Sequence, residues 1–248
     1  VLTAVNDNPL YLGFVPYFIK CWNKLYPSVD VVIVLISNCI PDDLLNYSKN
    51  IILFKPLDNI STAFISQYIR LLYPAVLNKY KNGILITDMD MVPMNETYYT
   101  EYIKSIDDDK FVYYRDHVCY PNEIAMCYNV AVSKIWSDIF NIYSIDDINN
   151  RLINVYKTIH YACCHGGPGW SKDQEDLCKY VMEWNKKTNN FVRLNEGNTK
   201  FNRLDRLFFN LDDTTLHNYI KERKYSDYHC LRPYEKYKEA NEKIYASL

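Results

Sequence analysis

The stretch Gly83 to Asn95, GILITDMDMVPMN, reads as an apolar strand that runs into Asp88-Met89-Asp90 and breaks at Pro93. Ile84 to Thr87 has the branched, apolar character of a buried strand. At its carboxyl end the chain turns, so both carboxylates can approach one ion, directly or through water. A hard divalent cation takes such oxygen ligands, keeps several waters and bridges phosphates.

Working back from that strand, Leu2 to Val5 and Asp30 to Ile36 read as strands, with a helix from Leu10 to Leu25 closed off by Pro27. Pro41 to Tyr47 predicts a short helix, Asn50 to Phe54 a third strand, and Ser61 to Tyr80 a helix with apolar residues at helical spacing. The Asp pair therefore ends the fourth strand of an alternating series. That alternation predicts an α/β fold with a mostly parallel sheet flanked by helices, and ligands at the carboxyl ends of its strands. Thr3 to Asn6, Ser37 and Asp88 to Asp90 would converge there.

Past residue 95 the rhythm changes. Phe111 to Arg115 and Phe191 to Leu194 read as strands, Ala125 to Val132 as a lining segment, and Ser133 to Tyr143, Arg151 to Tyr161 and Asp173 to Asn185 as helices, with a charged helical tail from Tyr234. His165-Gly166-Gly167-Pro168-Gly169-Trp170 is a loop holding half of the chain's six glycines. We expect a single domain over 1–248, with a nucleotide-binding half (1–95) and a half for donor sugar and acceptor (96–248).

Composition narrows the function classes. A net charge of −2, with lysine and arginine spread along the chain, gives no basic face for nucleic acid or an anionic membrane. No apolar run approaches the ~20 residues that span a bilayer, and VLTAVNDNPL lacks the layout of a signal peptide. The eight cysteines have irregular spacing and no C-x-x-C pair, which predicts reduced thiols in a cytoplasmic protein rather than a zinc or disulfide scaffold. The 24 tyrosines suit stacking on sugars, although AT-rich codon usage produces the same bias.

These segments, in this order, resemble the GT-A glycosyltransferases, and more closely the small GT-A domains encoded by large DNA viruses of the chlorella-virus type. The resemblance implies a GT-A-like fold and a metal-dependent transfer of sugar from a nucleoside diphosphate, by family habit UDP, to an acceptor hydroxyl on a glycan. It implies that Thr3, Ala4, Val5 and Asn6 of LTAVND face the nucleotide, joined by Arg70, Asp88 and Met89. Asn129 in MCYNVAV would line the donor sugar. Asp173 and Gln174 of KDQEDL would be the catalytic pair. Asp88, Asp90 and His229, in SDYHCLRPY, would hold the metal. Imidazole beside two carboxylates favours Mn²⁺ over Mg²⁺. A viral source would make the compartment the host cytoplasm.

Each assignment has a plainer reading. Asp173 at a helix start serves equally as a first-turn acid, Arg70 as an ordinary helix residue, and HGGPGW as a turn, with Trp170 the candidate for stacking on an acceptor ring. His165 competes with His229, and Arg232, Lys236 and Lys238 would either screen a diphosphate or decorate a tail. If transfer inverts the anomeric centre, Asp173 is the first choice of base, with Glu175 or Asp176 as alternatives; if it retains, Asp173 or Gln174 positions the donor. LITDMDMV also fits a haloacid-dehalogenase-type phosphatase, with Asp88 as nucleophile and Asp90 as general acid. Against this, over eighty residues of strand and helix precede the motif. A nucleotidyltransferase would show a glycine-rich basic loop near the first strand, which VLTAVNDNPL does not. The non-enzymatic alternative is a sugar-binding protein on the same fold.

Overall fold

The computed structural model describes residues 1–116, 121–208 and 214–248. Their first part runs through β1 (Leu2–Asn6), α1 (Pro9–Leu12), α2 (Val15–Leu25), β2 (Val32–Ile36), β3 (Ile51–Phe54), α3 (Thr62–Leu72), β4 (Ile84–Ile86) and β5 (Met91–Pro93). The second part adds β6 (Phe111–Tyr113), β7 (Asn129–Ala131), α4 (Ser133–Phe140), α5 (Ile145–Lys157), α6 (Lys172–Thr188) and β8 (Phe191–Arg193). It closes with α7 (Glu196–Thr199), β9 (Asn202–Asp205), α8 (Thr214–Lys221), β10 (Tyr225–His229) and α9 (Lys238–Ser247).

A seven-stranded sheet has the order β3-β2-β1-β4-β7-β6-β8. β1 pairs in parallel with β2 and β4, and β2 with β3. β7 runs antiparallel to β4 and β6, so the sheet is mixed. Every residue of β1 and β2 is buried, as expected for parallel strands covered on both faces. The chain steps outward from β1 to β3 and then returns past β1 to β4. Right-handed crossovers in opposite directions put α2 and α3 on opposite faces. The reversal between β1 and β4 is a topological switch point, the place where open α/β sheets commonly bind ligands.

A second, three-stranded sheet has the order β5-β10-β9, with β10 antiparallel to β5 and parallel to β9. It places His229 opposite both Met91 and Asp205. The Cys230 amide donates to the Asp90 carbonyl at 2.8 Å, extending the pairing to the Asp pair itself. Pro93 ends the edge strand β5, where its missing N–H breaks no ladder.

Several helices differ from the sequence expectation for local reasons. The first divides at Gly13 and Phe14: Asn8 caps α1, accepting from the Leu10 amide at 2.9 Å, and α2 starts anew at Val15. Asp42–Asn50 is a 3₁₀ turn. α3 stops at Leu72, because Pro74 removes a donor and disfavours helical backbone before it; Tyr73–Val76 winds as 3₁₀ instead. α5 begins at Ile145, well before Arg151, because Ser144 caps it, accepting from the Asp147 amide at 3.1 Å. The polar run Asp146 to Asn150 is thus the start of a helix, with Asp146 and Asp147 on its positive dipole end.

Candidate active site

The carboxyl end of the sheet at the switch point carries two clusters of charge joined by Asp88-Met89-Asp90. The first centres on Arg70, which α3 carries into the core at 6% exposure. Its guanidinium donates to Asp88 Oδ1, to the Thr87 carbonyl at 3.3 Å and to Asp173 Oδ2 at 3.3 Å. A buried guanidinium is tolerated when carboxylates and carbonyls take its donors, and here two acids share it. Asp173 lies in the first turn of α6, where its Oδ1 accepts from the Gln174 amide at 2.9 Å. Burial pushes the Asp173 carboxyl up to about 7; Arg70 pulls against that shift and Asp88 adds to it. A carboxyl so poised can gain and lose a proton near neutrality.

The second cluster centres on Asp90, which is 3% exposed. Its Oδ2 accepts from Arg206 Nη1 at 2.8 Å and from Arg232 Nη1 at 3.3 Å, and stands 3.6 Å from His229 Nε2. Burial works to raise the Asp90 pKa, but His229, Arg206 and Arg232 outweigh it and hold the carboxyl well below the usual range. Behind the imidazole, His229 Nδ1 bonds Asp205 Oδ2 at 2.9 Å, which turns Nε2 toward Asp90. Tyr11 closes one side: Arg232 donates to its hydroxyl and lies 5.2 Å from its ring centre. Beneath both clusters the fully buried Asp227 accepts from Arg203 Nε at 2.6 Å and Arg115 Nη1 at 3.4 Å, fixing the middle of β10.

The donor chemistry at Asp90 fits a divalent cation. A carboxylate and an imidazole are set side by side by strand register, and a second carboxylate orients the imidazole. Among the described residues, no three His, Cys, Asp or Glu side chains are grouped to hold an ion by themselves. The protein would therefore supply part of the coordination, leaving places for water and phosphate oxygens.

The other sequence candidates fall in different positions. Thr3, Ala4 and Val5 are buried in β1, so their side chains are in the core; Thr3 Oγ1 has no partner among the described residues. Asn6, at the β1 end, donates to Thr62 Oγ1 at 3.0 Å and accepts from the Asn8 amide at 3.3 Å. Met89 is 3% exposed, with its side chain in the core cluster. Asn129 is fully buried and donates to the Ala125 and Met126 carbonyls at 2.8 and 3.1 Å, while its Oδ1 has no partner among the described residues. Nor, among those residues, does a hydrogen bond join Asn129 or the Gln174 side chain to the Asp pair. Asp176, an alternative base, is tied to the Tyr68 hydroxyl and Lys172 Nζ, each at 2.6 Å, and Glu175 is exposed. His165 packs against Trp170 with ring centres 5.2 Å apart.

Sequence reasoning missed Arg206, Asp205, Tyr11 and Tyr161. Tyr161 donates to Gln67 Oε1 at 2.6 Å, and burial, with Asp173 among the nearby negative charges, raises its pKa. The signal for Arg206 was Asp205-Arg206 itself, an acid and a base adjacent in a weakly patterned stretch. A cavity of about 560 Å³ opens at the opposite, amino end of the sheet, lined by Trp22, Tyr26, Tyr80 and Tyr99. Among the described residues its only acid is Asp30 and it has no histidine.

No family model and no curated protein matches the chain. Among solved structures it is similar to the galactosyltransferase LgtC in complex with donor and acceptor sugar analogues: 14% identity and a TM-score of 0.52, over 100% of this chain and 95% of LgtC. An active-site mutant of LgtC matches at 13% identity and a TM-score of 0.53 over the same shares. The glycosyltransferase GlyE of Streptococcus pneumoniae TIGR4 matches at 12% and 0.51, over 99% of this chain and 60% of GlyE. At such identities the likeness is one of fold. The architecture is the mixed α/β sheet flanked by helices of the GT-A glycosyltransferases.

Proposed function

We propose that the chain is a metal-dependent glycosyltransferase that moves a sugar from a nucleoside diphosphate, a UDP-sugar by habit of the fold, to an acceptor hydroxyl on a glycan. The observation that carries this reading is the Asp90–His229 pair, backed by Asp205, beside Asp88 and Arg70 at the switch point of a GT-A-type sheet. A Mn²⁺ or Mg²⁺ ion held by Asp90 and His229, with Asp88 engaging it or its water, supplies charge that stabilises the departing diphosphate. Arg70 keeps Asp88 oriented. Asn6 and the end of β1 border the base, and Asn129, whose carbonyl has no partner among the described residues, borders the donor sugar.

Asp173 handles the acceptor proton: a carboxyl poised near 7 accepts it as the hydroxyl attacks. Gln174, next on α6, positions the sugar. Trp170, in the glycine-rich loop, offers its face to the acceptor ring. The same reading puts the enzyme in the cytoplasm, the host's if the chain is viral as its segments suggest. No helix among the described residues is long and apolar enough to cross a membrane.

A thermal-shift screen of UDP-, GDP- and dTDP-sugars with and without Mn²⁺ tests the reading, since a ligand that binds only the folded state raises the melting temperature. One nucleotide-sugar should stabilise the protein in the presence of Mn²⁺, and Asp90→Ala should erase both that shift and transfer. Phosphate release from an aryl phosphate, with no response to any nucleotide-sugar, would favour the phosphatase instead.

A further inference from the structure

We propose that Arg206 is a built-in counterion for the cation site: its guanidinium holds the place between Asp90 and His229 until a diphosphate draws it away. This rests on the reading of Asp90 and His229 as cation ligands. It adds that cation and diphosphate bind as a coupled pair.

Three observations carry it. First, Arg206 faces the two donors a cation would need: Nη1 donates to Asp90 Oδ2 at 2.8 Å and Nη2 touches His229 Nε2. Any ion taking Asp90 and Nε2 must displace that group. Second, Arg206 has little else to hold it there. Its further hydrogen bond among the described residues is to the Cys230 carbonyl at 3.0 Å, it starts a 3₁₀ turn at Arg206–Phe208, and the next side chain, Leu207, is 83% exposed. Third, Asp205 is shared: Oδ2 orients His229 while Oδ1 accepts from the Leu207 amide at 3.0 Å, so one carboxylate fixes both the ligand and the turn carrying its competitor.

Electrostatics supplies the coupling. A divalent cation arriving alone meets Arg206 and Arg232 at Asp90 and must push one guanidinium into a site that is already positive. A diphosphate arriving with the cation gives the released guanidinium a multiply charged acceptor of matching geometry. Each ligand then favours the other by the same factor.

The test is calorimetric titration of Mn²⁺ into the wild-type chain and Arg206→Gln, each alone and with saturating UDP, GDP or dTDP. Wild type should bind Mn²⁺ weakly alone and about 10-fold or more tightly with the matching nucleotide. Arg206→Gln should bind Mn²⁺ alone about 10-fold more tightly than wild type and lose the part of the coupling that comes from displacing the guanidinium, keeping the part that phosphate oxygens on the ion supply. Arg206→Lys keeps the charge and should stay near wild type, which separates the charge from any damage to the turn, and melting temperatures check folding. Mn²⁺ binding to Arg206→Gln that is unchanged or weaker, or wild-type binding indifferent to every nucleotide, overturns the proposal. The outcomes also separate the two claims: coupling without sugar transfer sinks the transferase alone, and transfer with uncoupled Mn²⁺ sinks the counterion alone.

Discussion

Replacing Asp173 with asparagine should change how stability depends on pH more than stability itself. Its carboxyl is raised from 3.8 to about 7 by burial, so the folded state holds this proton more tightly than the unfolded chain. For a raised carboxyl, the stabilisation from proton binding is complete below the unfolded value and is lost as pH climbs through the folded one. The full difference of about three pK units corresponds to ~4 kcal/mol. Between about pH 5 and pH 8 the portion lost is ~2.5 kcal/mol. An asparagine side chain does not titrate, so D173N should gain that much relative to wild type over the same interval, a relative rise in melting temperature of ~5–10 °C. The ion pair with Arg70 acts only where Asp173 is ionised, and its pull is already contained in the value of about 7, so it adds no separate pH-independent offset. Urea or thermal unfolding of both proteins at several pH values measures the difference. Parallel stability curves would refute a buried, proton-holding Asp173, and with it the case for Asp173 as the group that takes the acceptor proton.

Other outcomes follow from the same geometry. Asp205→Asn leaves a side chain that can still touch His229 but no longer fixes its orientation as a carboxylate does, so Mn²⁺ affinity in the presence of nucleotide should fall ~10- to 100-fold by titration. Ser144→Ala removes the cap of α5 and should cost ~1 kcal/mol in urea unfolding, without changing ligand binding. Gly169 has φ +73, and a Cβ there would lie 2.7 Å from the His160 carbonyl. Gly169→Ala must therefore shift the loop carrying Trp170, and under steady-state kinetics acceptor KM should rise while nucleotide affinity measured by titration holds.

The first half was legible because its strands are buried on both faces and so read as continuous β-branched runs, VIVLI most clearly. Asp88 and Asp90 were legible because they end such a run. The second sheet was not. Its strands NRLD and YSDYH are polar and show no alternation, because Ser226 and Asp227 are buried as partners of arginines and backbone rather than as apolar packing. His229 could be picked out by residue type and family resemblance, but Asp205 and Arg206 depend on the register between β9 and β10, which no local pattern encodes. Pro74 and Ser144 were visible, yet each redraws a helix boundary that periodicity alone put elsewhere.

The pairing of β5 with β10 has a consequence in time as well as in space. Arg232 stands 142 positions from the Asp90 it contacts, so the site joins segments that leave the ribosome far apart in time. Closing so long a loop is a slow, non-local event in folding. A chain emerging from the ribosome could shape β1 to β4 long before His229 exists to complete the site. The site would thus be completed only once β10 has been made and has slotted into the small sheet.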